Sequence, residues 1–337
     1  MATAPEVRWG ILGTGNIATR FAAEMAGAEG ARLVAVASRS ESKATAFADR
    51  FGLPTAYGRY ESLAASPDID IVYVATPHLF HYEHAGLVLA HDKAVLVEKP
   101  FVMNAREGEA LVAEARQRGL LLMDGLWTLC NPLFLDLVAK VRSGAIGRPR
   151  GFSANVGPLG VPIAKGTGMR LEDPDVGGSF LIECHVYPVA IMLALAPVFS
   201  QPEDVWAAAT FTDRHVDEMA SILLRTQTGE VGAIDGGLAW STRNSVVSRA
   251  RLTGATGWIE IDDDLFNPRR ALVGSMAGTE ALESSAADRG FAWEIEEAGR
   301  AFRAGEVESP LVPHRLSLDV IRLLDRARAS AGITVGG

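Results

Sequence analysis

Cysteine and membrane-length hydrophobic runs are both scarce in this chain. Only two of its 337 residues are cysteine, Cys130 and Cys184. Two cysteines exclude a disulfide-stapled fold and fit a reducing compartment, so we expect a cytoplasmic protein without a metal site. No apolar run reaches the ~18 residues of a membrane-spanning helix. Because Met1–Glu6 lacks a basic region followed by an apolar one, we expect no secretory signal.

An excess of positive charge is also absent. The chain has 32 Lys+Arg against 41 Asp+Glu, a net charge of −9, and no long basic run. Since nucleic acids are bound by clustered positive charge, we expect no nucleic-acid partner. A hydrophobic fraction of 48% and a charged fraction of 22% are typical of a folded globular chain. The length favours two domains, because one core seldom serves more than ~250–300 residues.

Short apolar runs alternate with helical patterns over the first 124 residues. The predicted strands are Val7–Leu12, Arg32–Ser38, Ile69–Ala75, Ala94–Val97 and Leu120–Met123. The predicted helices are Asn16–Met25, Ser42–Phe51, His81–Ala90 and Asn104–Arg118. Strands separated by helices indicate βαβ units and a parallel sheet. We therefore predict an α/β domain over residues 1–124.

A different pattern follows over residues 125–337. Helices are predicted over Pro132–Arg142, Phe180–Leu195, Trp293–Ala304 and Leu316–Ala329. Strands are predicted over Val205–Thr212, Met219–Arg225, Val231–Ala239, Ser248–Thr253 and Gly257–Ile261, with hairpin turns at Thr228-Gly229-Glu230 and Gly254-Ala255-Thr256. The segment Ala277–Ala287 is predicted to be a surface loop. This second domain is thus predicted to be α+β, with a large open mixed or antiparallel sheet.

The strongest motif is the segment Gly13-Thr14-Gly15-Asn16-Ile17-Ala18, between the first strand and the first helix. It fits the dinucleotide-binding pattern G-x-G-x-x-G/A. Gly13 permits the tight turn, Gly15 lets the backbone approach a pyrophosphate, and Ala18 allows close packing. The alternative is an ordinary glycine-rich turn. Its position between a strand and a helix favours dinucleotide binding.

The end of the second strand reads Ser38-Arg39-Ser40, with Lys43 one turn later. An NAD enzyme normally has Asp or Glu here for the ribose 2′-hydroxyl, whereas hydroxyls and cations suit the 2′-phosphate of NADP. The alternative is a solvated loop, and Glu41 is the nearest acid. We predict NADP as the cofactor, with NAD possible.

Two further strand ends carry polar residues. The third strand leads into Thr76-Pro77-His78 and on to His81, and the fourth leads into Glu98-Lys99-Pro100. In an open α/β sheet both carboxyl ends face the ligand crevice. We predict that Thr76, Pro77, His78, His81, Glu98 and Lys99 contact the cofactor or substrate. The alternative for Lys99 is a solvated surface cation.

Together these motifs resemble the Gfo/Idh/MocA oxidoreductases. Segments such as Asp124-Gly125-Leu126-Trp127 and Gly177-Gly178-Ser179 are similar to the branch with dimeric dihydrodiol dehydrogenase and NADP-dependent xylose dehydrogenase. The resemblance implies a Rossmann domain, a C-terminal sheet domain that commonly forms a dimer interface, a catalytic Lys99 and a cis Lys99–Pro100 bond. It also implies a small-molecule substrate and a homodimer or homotetramer.

The family's second catalytic element, Asp-x-Gly-x-Tyr or Asp-x-x-x-His, corresponds here to Glu183-Cys184-His185-Val186-Tyr187. Glu183 and Tyr187 are four residues apart and share a helix face, while His185 lies on another side. We predict Tyr187 as the general acid/base, with Lys99 easing release of its proton and Glu183 orienting the substrate. His185 is either an alternative proton carrier or a packed core histidine, and Tyr187 also has a packing alternative.

The predicted function is an NADP-dependent oxidoreductase acting on a secondary alcohol, hemiacetal hydroxyl or matching carbonyl of a sugar, polyol or cyclic diol. Two alternatives come from other classes. One is a glycoside hydrolase that recycles bound NAD without net redox change. The other is a non-catalytic NADP-sensing protein, which would need neither Lys99 nor Tyr187.

Overall fold

The computed structural model describes residues 5–157, 173, 177–237, 248–284 and 289–333. The strands are β1 (Val7–Leu12), β2 (Ala31–Ala37), β3 (Thr55–Tyr57), β4 (Ile71–Val74), β5 (Ala94–Glu98), β6 (Leu122–Gly125), β7 (Pro149–Val156), β8 (Asp204–Phe211), β9 (Asp217–Arg225), β10 (Val231–Gly237), β11 (Arg249–Gly254), β12 (Gly257–Ile261), β13 (Arg270–Ser275) and β14 (Gly278–Glu283). The α-helices are α1 (Asn16–Met25), α2 (Glu41–Phe51), α3 (Tyr60–Ala64), α4 (His81–Ala90), α5 (Ala105–Arg118), α6 (Pro132–Arg142), α7 (Phe180–Cys184), α8 (Val186–Leu195), α9 (Gly290–Arg303) and α10 (His314–Ala331). None of the helices in these ranges has both the length and the apolar content to cross a bilayer.

The chain divides into two compact units at a point near the predicted boundary. The first unit is Met1–Cys130 with Asp288–Ser317, and the second is Asn131–Ala287 with Leu318–Gly337. The return of α9 to the first unit differs from the predicted assignment of all residues after 124 to the second domain. The physical reason is packing between aromatic side chains that are far apart in the sequence. The ring of Phe291 stacks on Trp127 at 5.4 Å and meets Phe21 edge-on at 5.7 Å.

The first unit is built on a parallel six-stranded sheet in the order β3-β2-β1-β4-β5-β6. This is the order of dinucleotide-binding α/β folds, with its topological switch between β1 and β4. β4 and β5 are buried throughout, as their continuous apolar runs predict. On one face, the ring of Phe21 stacks on Tyr73 with 3.7 Å between centroids. The predicted parallel α/β domain is therefore confirmed.

The second unit is built on an eight-stranded mixed sheet in the order β14-β13-β12-β11-β7-β10-β9-β8. β7 and β10 are parallel, and the other neighbours are antiparallel. The hairpins β9–β10 and β11–β12 form at the two predicted turns. Residues 238 and 239 of the predicted strand Val231–Ala239 lie outside the described residues. The large open mixed sheet that the sequence predicts is present.

Two sequence predictions for this unit are corrected. Part of the predicted loop Ala277–Ala287 is β14, which pairs with β13. Its side chains are almost all exposed, so it lacks the apolar alternation by which strands are recognised. The predicted helix Phe180–Leu195 is divided into α7 and α8 at His185. The Leu181 amide donates a 2.6 Å hydrogen bond to the Asp217 carboxylate. This bond connects the first turn of α7 to the start of β9.

Candidate active site

The glycine-rich turn has the backbone shape that a pyrophosphate requires. Gly13 has φ +111°, and a Cβ there would lie 2.7 Å from the carbonyl oxygen of Ala75. A Cβ on Gly15 would meet nothing within 4 Å, so the backbone is open on that side. Gly15 is also the N-cap of α1 and supplies no capping side chain, which leaves the first amides of α1 available to an anion. These features fit a dinucleotide, with Thr14, Asn16 and Ile17 forming the rest of the turn and the start of the helix.

Ser38, Arg39 and Lys43 lie where the second strand passes into α2. The Ser38 hydroxyl accepts a hydrogen bond from the Ser40 amide at 3.3 Å. The side chain of Ser40 caps α2 by accepting from the Lys43 amide. Lys43 itself is exposed. Glu41 at the start of α2 packs against the residue after β3, since a Cβ on Gly58 would lie 3.2 Å from the Glu41 Cβ.

The turn after β4 contains Thr76, Pro77, His78 and His81. His78 and His81 are each 1% exposed. Both ring nitrogens of His81 contact backbone carbonyls: Nε2 lies 2.9 Å from Thr76 O and Nδ1 2.8 Å from Pro100 O. His81 therefore uses both nitrogens within the protein. Its predicted contact with cofactor or substrate stays a prediction.

The loop after β5 begins with Glu98-Lys99-Pro100. The Lys99–Pro100 peptide is cis, as the family resemblance implies. Glu98 is 6% exposed, and its Oε2 accepts a 2.5 Å hydrogen bond from the Tyr73 hydroxyl. The residue before Lys99 is thus fixed to the neighbouring strand. This arrangement places Lys99 at the carboxyl end of the sheet, in the same unit as the glycine turn.

Two buried acids beside this loop were missed as candidate site residues. Burial raises the pKa of Asp124 to about 7; the nearby Glu98 adds to the rise, and a Ser317 hydrogen bond and Lys99 oppose it. Glu294 in α9 is fully buried, and burial, then the charges of Glu98 and Asp124, raise its pKa well above the usual range. The only sequence signal was the position of Asp124 at a strand end. Nothing local marks Glu294, because its surroundings come from distant parts of the chain.

Glu183, His185 and Tyr187 lie along α7 and α8 in the second unit. All three are buried, with exposures of 3%, 0% and 3%. His185 Nε2 lies 3.1 Å from the Ala220 carbonyl oxygen. Burial lowers the pKa of His185 to about 4, against the opposing hydrogen bonds. This environment is that of a neutral core histidine, and it favours Tyr187 over His185 as the proton carrier.

Tyr187 packs against the segment between β12 and β13. Its ring meets Phe266 edge-on, with 4.9 Å between centroids. The structure thus brings the glycine turn, Thr76, His81 and the Glu98–Pro100 loop together in the first unit. It brings Glu183, His185 and Tyr187 together in the second.

Comparison with known proteins identifies relatives along nearly the whole chain. Residues 7–126 match the oxidoreductase family with an NAD-binding Rossmann fold, and residues 134–260 match the Gfo/Idh/MocA C-terminal domain. The trans-1,2-dihydrobenzene-1,2-diol dehydrogenase of Mus musculus is 30% identical, with 97% of this chain and 98% of that protein covered.

Solved structures show the same architecture. A 3-ketoreductase from Actinomadura kijaniata, in complex with NADP and TDP-benzene, is 28% identical with a TM-score of 0.83, covering 97% of this chain and 98% of that one. The aldose-aldose oxidoreductase of Caulobacter crescentus has a TM-score of 0.83 at 22% identity, covering 97% and 98%, and supports the fold. The chain belongs to the Gfo/Idh/MocA family of oxidoreductases, in the branch with the dihydrodiol dehydrogenases.

Proposed function

We propose that this oxidoreductase is NADP-dependent and interconverts a secondary alcohol or hemiacetal hydroxyl with the matching carbonyl of a sugar, polyol or cyclic diol. The observation that carries the proposal is the position of the Lys99–Pro100 loop and the glycine turn at one edge of the parallel sheet. A nucleotide cradle and a cation beside it are the parts that hydride exchange with a hydroxyl requires.

The cofactor would be held by backbone amides of Gly13–Ile17 and by the segment from Ser38 to Lys43. When bound, the nicotinamide supplies the hydride acceptor or donor. The absence of an acid at the end of β2 supports NADP, since NAD enzymes normally place one there. Arg39 and Lys43 supply the positive charge that a 2′-phosphate attracts.

Lys99 donates a hydrogen bond to the oxygen of the reacting hydroxyl or carbonyl. Its cation stabilises negative charge that develops on this oxygen. Tyr187 transfers the hydroxyl proton as general acid/base, and Glu183 orients the substrate. The 3-ketoreductase has also been solved with a lysine changed to alanine or glutamate and with a tyrosine changed to phenylalanine, the same residue types as Lys99 and Tyr187.

The substrate class is supported by the named relatives. The vertebrate relatives are named trans-1,2-dihydrobenzene-1,2-diol dehydrogenases, and the 3-ketoreductase is solved with NADP and TDP-benzene. A diol dehydrogenase and a ketoreductase each interconvert a CH–OH group and a carbonyl. Sugars, polyols and cyclic diols share that group.

The test is a panel of sugars, polyols and trans-diols with NADP and with NAD, followed by nicotinamide absorbance. We expect reduction of NADP by at least one member, and loss of that activity in Lys99→Met. Hydrolysis of a glycoside without net absorbance change would support the redox-neutral hydrolase instead. Tight NADP binding with no turnover of any member would support the sensor.

We also propose a homodimer or homotetramer and a cytoplasmic location. The oligomer is supported by exposed apolar side chains on the second unit's sheet, such as Trp206 at 49%. The location is supported by the thiols of Cys130 and Cys184, which are both buried and not joined in a disulfide.

A further inference from the structure

Two histidines of α4 hold the turn that follows β4. The carbonyl oxygen of Thr76 lies 2.9 Å from His81 Nε2, and the hydroxyl of Thr76 lies 2.9 Å from His84 Nδ1. All three residues are buried. The same turn packs under the glycine-rich loop, where the Ala75 carbonyl leaves no room for a side chain at position 13. The position of this turn therefore affects the cofactor cradle directly.

His81 also contacts the loop that follows β5. Its Nδ1 lies 2.8 Å from the carbonyl oxygen of Pro100, on the far side of the cis peptide from Lys99. Carbonyl oxygens only accept hydrogen bonds, so whichever nitrogen of His81 carries a proton donates to the carbonyl it faces. One ring thus links the loops after β4 and β5.

We propose that His81 is a positioning residue. Its ring links the Pro100 carbonyl to the Thr76 carbonyl and thereby fixes the position of Lys99 at the sheet edge. The inference rests on the proposed role of Lys99. It assigns His81 a task different from the cofactor contact that the sequence predicts. The backbone on the carboxyl side of Lys99 is held by this bond, while its amino side is held through Glu98 and Tyr73.

The test compares His81→Phe with His91→Phe. Phenylalanine keeps a planar ring but donates to neither carbonyl. His91 is the matched control, because its Nδ1 also lies 2.9 Å from a backbone carbonyl, that of Leu87, at the opposite end of α4. The readouts are amide exchange in peptides covering 76–80 and 99–103, NADPH affinity, and kcat and KM for the substrate found above.

For His81→Phe we expect faster exchange in both peptides and a fall in kcat on the order of 10- to 100-fold, the effect typical of a misplaced catalytic group. NADPH affinity should change little, because His84 still contacts the Thr76 hydroxyl and keeps this turn under the glycine-rich loop. His91→Phe should match the wild type in all readouts. If His81→Phe does not fold, His81→Gln keeps one donor nitrogen and should give a smaller change of the same kind.

Three results would overturn the inference. A fall in kcat with unchanged exchange would mean that His81 acts by direct contact. Faster exchange with unchanged kcat would mean that the link does not position Lys99. Unchanged exchange and kcat would mean that the link has no effect. Should the wild type turn over no substrate, the proposed function fails, and unchanged exchange would still overturn the link by itself.

Discussion

The guanidinium of Arg39 lies over the ring of Phe80, with Cζ 5.9 Å from the ring centroid. Arg39 also lies close to Tyr60, and its positive charge opposes the rise that burial causes in the pKa of that tyrosine. The two aromatic side chains hold the cation at the carboxyl edge of the first sheet, between the turns after β2 and β4. A guanidinium held in this way loses little freedom when it binds a phosphate.

Arg39→Ala should remove most of the preference for NADP over NAD. Charge-assisted hydrogen bonds contribute ~1.5–3 kcal/mol each, so two of them give the wild type a preference of at least about tenfold. Both cofactors are titrated by intrinsic fluorescence. Arg50→Ala is the control, because this arginine also stacks on an aromatic ring, Phe51, at the other end of α2. Equal affinities in the wild type, or an Arg39→Ala variant that keeps the preference, would disprove the hypothesis.

One face of the second sheet exposes apolar side chains next to each other. Trp206 on β8 pairs with Leu223 on β9, and they are 49% and 46% exposed. On the opposite side of β9, Ile222 and Leu224 are buried, with 2% and 0% exposure. Adjacent exposed apolar side chains on a broad sheet are typical of a protein–protein interface.

Trp206→Asp should reduce the mass in solution to that of a monomer, because it places a charge in the middle of an apolar contact. Light scattering should give a multiple of 35.9 kDa for the wild type. Met276→Asp is the control, since this side chain is 98% exposed at the turn between β13 and β14. A clean mass of one chain for the wild type at micromolar concentration would contradict the proposed oligomer.

Local patterns predicted the first unit well and parts of the second poorly. The bounds of α1 and α4 agree with the sequence prediction because each has a distinct apolar face or run beside clear breaks. β14 was missed because an exposed edge strand carries no apolar alternation. The return of α9 to the first unit was missed because it depends on contacts of Phe291 with residues far away in the sequence.

The candidate site also contains features that the sequence predicts and features that it does not. The glycine turn and the Glu98–Pro100 loop follow from short motifs whose chemistry is local. The contacts of His81 with two backbone carbonyls and the burial of Glu294 depend on which loops and helices pack together. Sequence spacing does not encode these three-dimensional neighbours, so a single sequence could not reveal them.

His185→Leu should affect stability more than turnover. Leucine has no donor for the Ala220 carbonyl in the core, and this loss costs about 1–3 kcal/mol of unfolding free energy. The pKa of His185 is about 4 in the folded state, below its ordinary 6.5, so the wild type loses stability as the pH falls from 6.5 to 4, and the variant lacks this pH dependence. Urea unfolding at several pH values measures the loss of stability and its pH dependence. His215→Leu, at an exposed histidine of the same unit, is the control. Loss of turnover at unchanged stability would identify His185 as the proton carrier.

Asp124→Asn should stabilise the protein increasingly as the pH rises from 4 to 7. The pKa of Asp124 is about 7 when folded, above its ordinary 3.8, so the folded state retains a proton that the unfolded state has lost in this range. The wild type therefore loses stability with rising pH, at most about 1.4 kcal/mol for each unit of the pKa difference. Unfolding free energies of both proteins across this range test the trend. Asp136→Asn, at an exposed position of α6, should show none. Parallel curves for wild type and Asp124→Asn would contradict the expectation.

Lys99 and Tyr187 should act on one proton-transfer step. Tyr187→Phe removes the hydroxyl and should lower kcat by roughly 10²–10⁴-fold, the usual contribution of general acid/base catalysis. In the proposed mechanism the Lys99 cation eases release of the tyrosine proton, so in Lys99→Met turnover should fall and its rise with pH should move to higher pH. Because residues that act as a unit are not additive, the double variant should be little worse than the poorer single one. Tyr82→Phe, at a 42% exposed tyrosine in α4, is the control and should keep wild-type kcat. NADP affinity should survive Tyr187→Phe, since the glycine turn holds the cofactor. Near-full activity of Tyr187→Phe would show that this hydroxyl does not carry the proton.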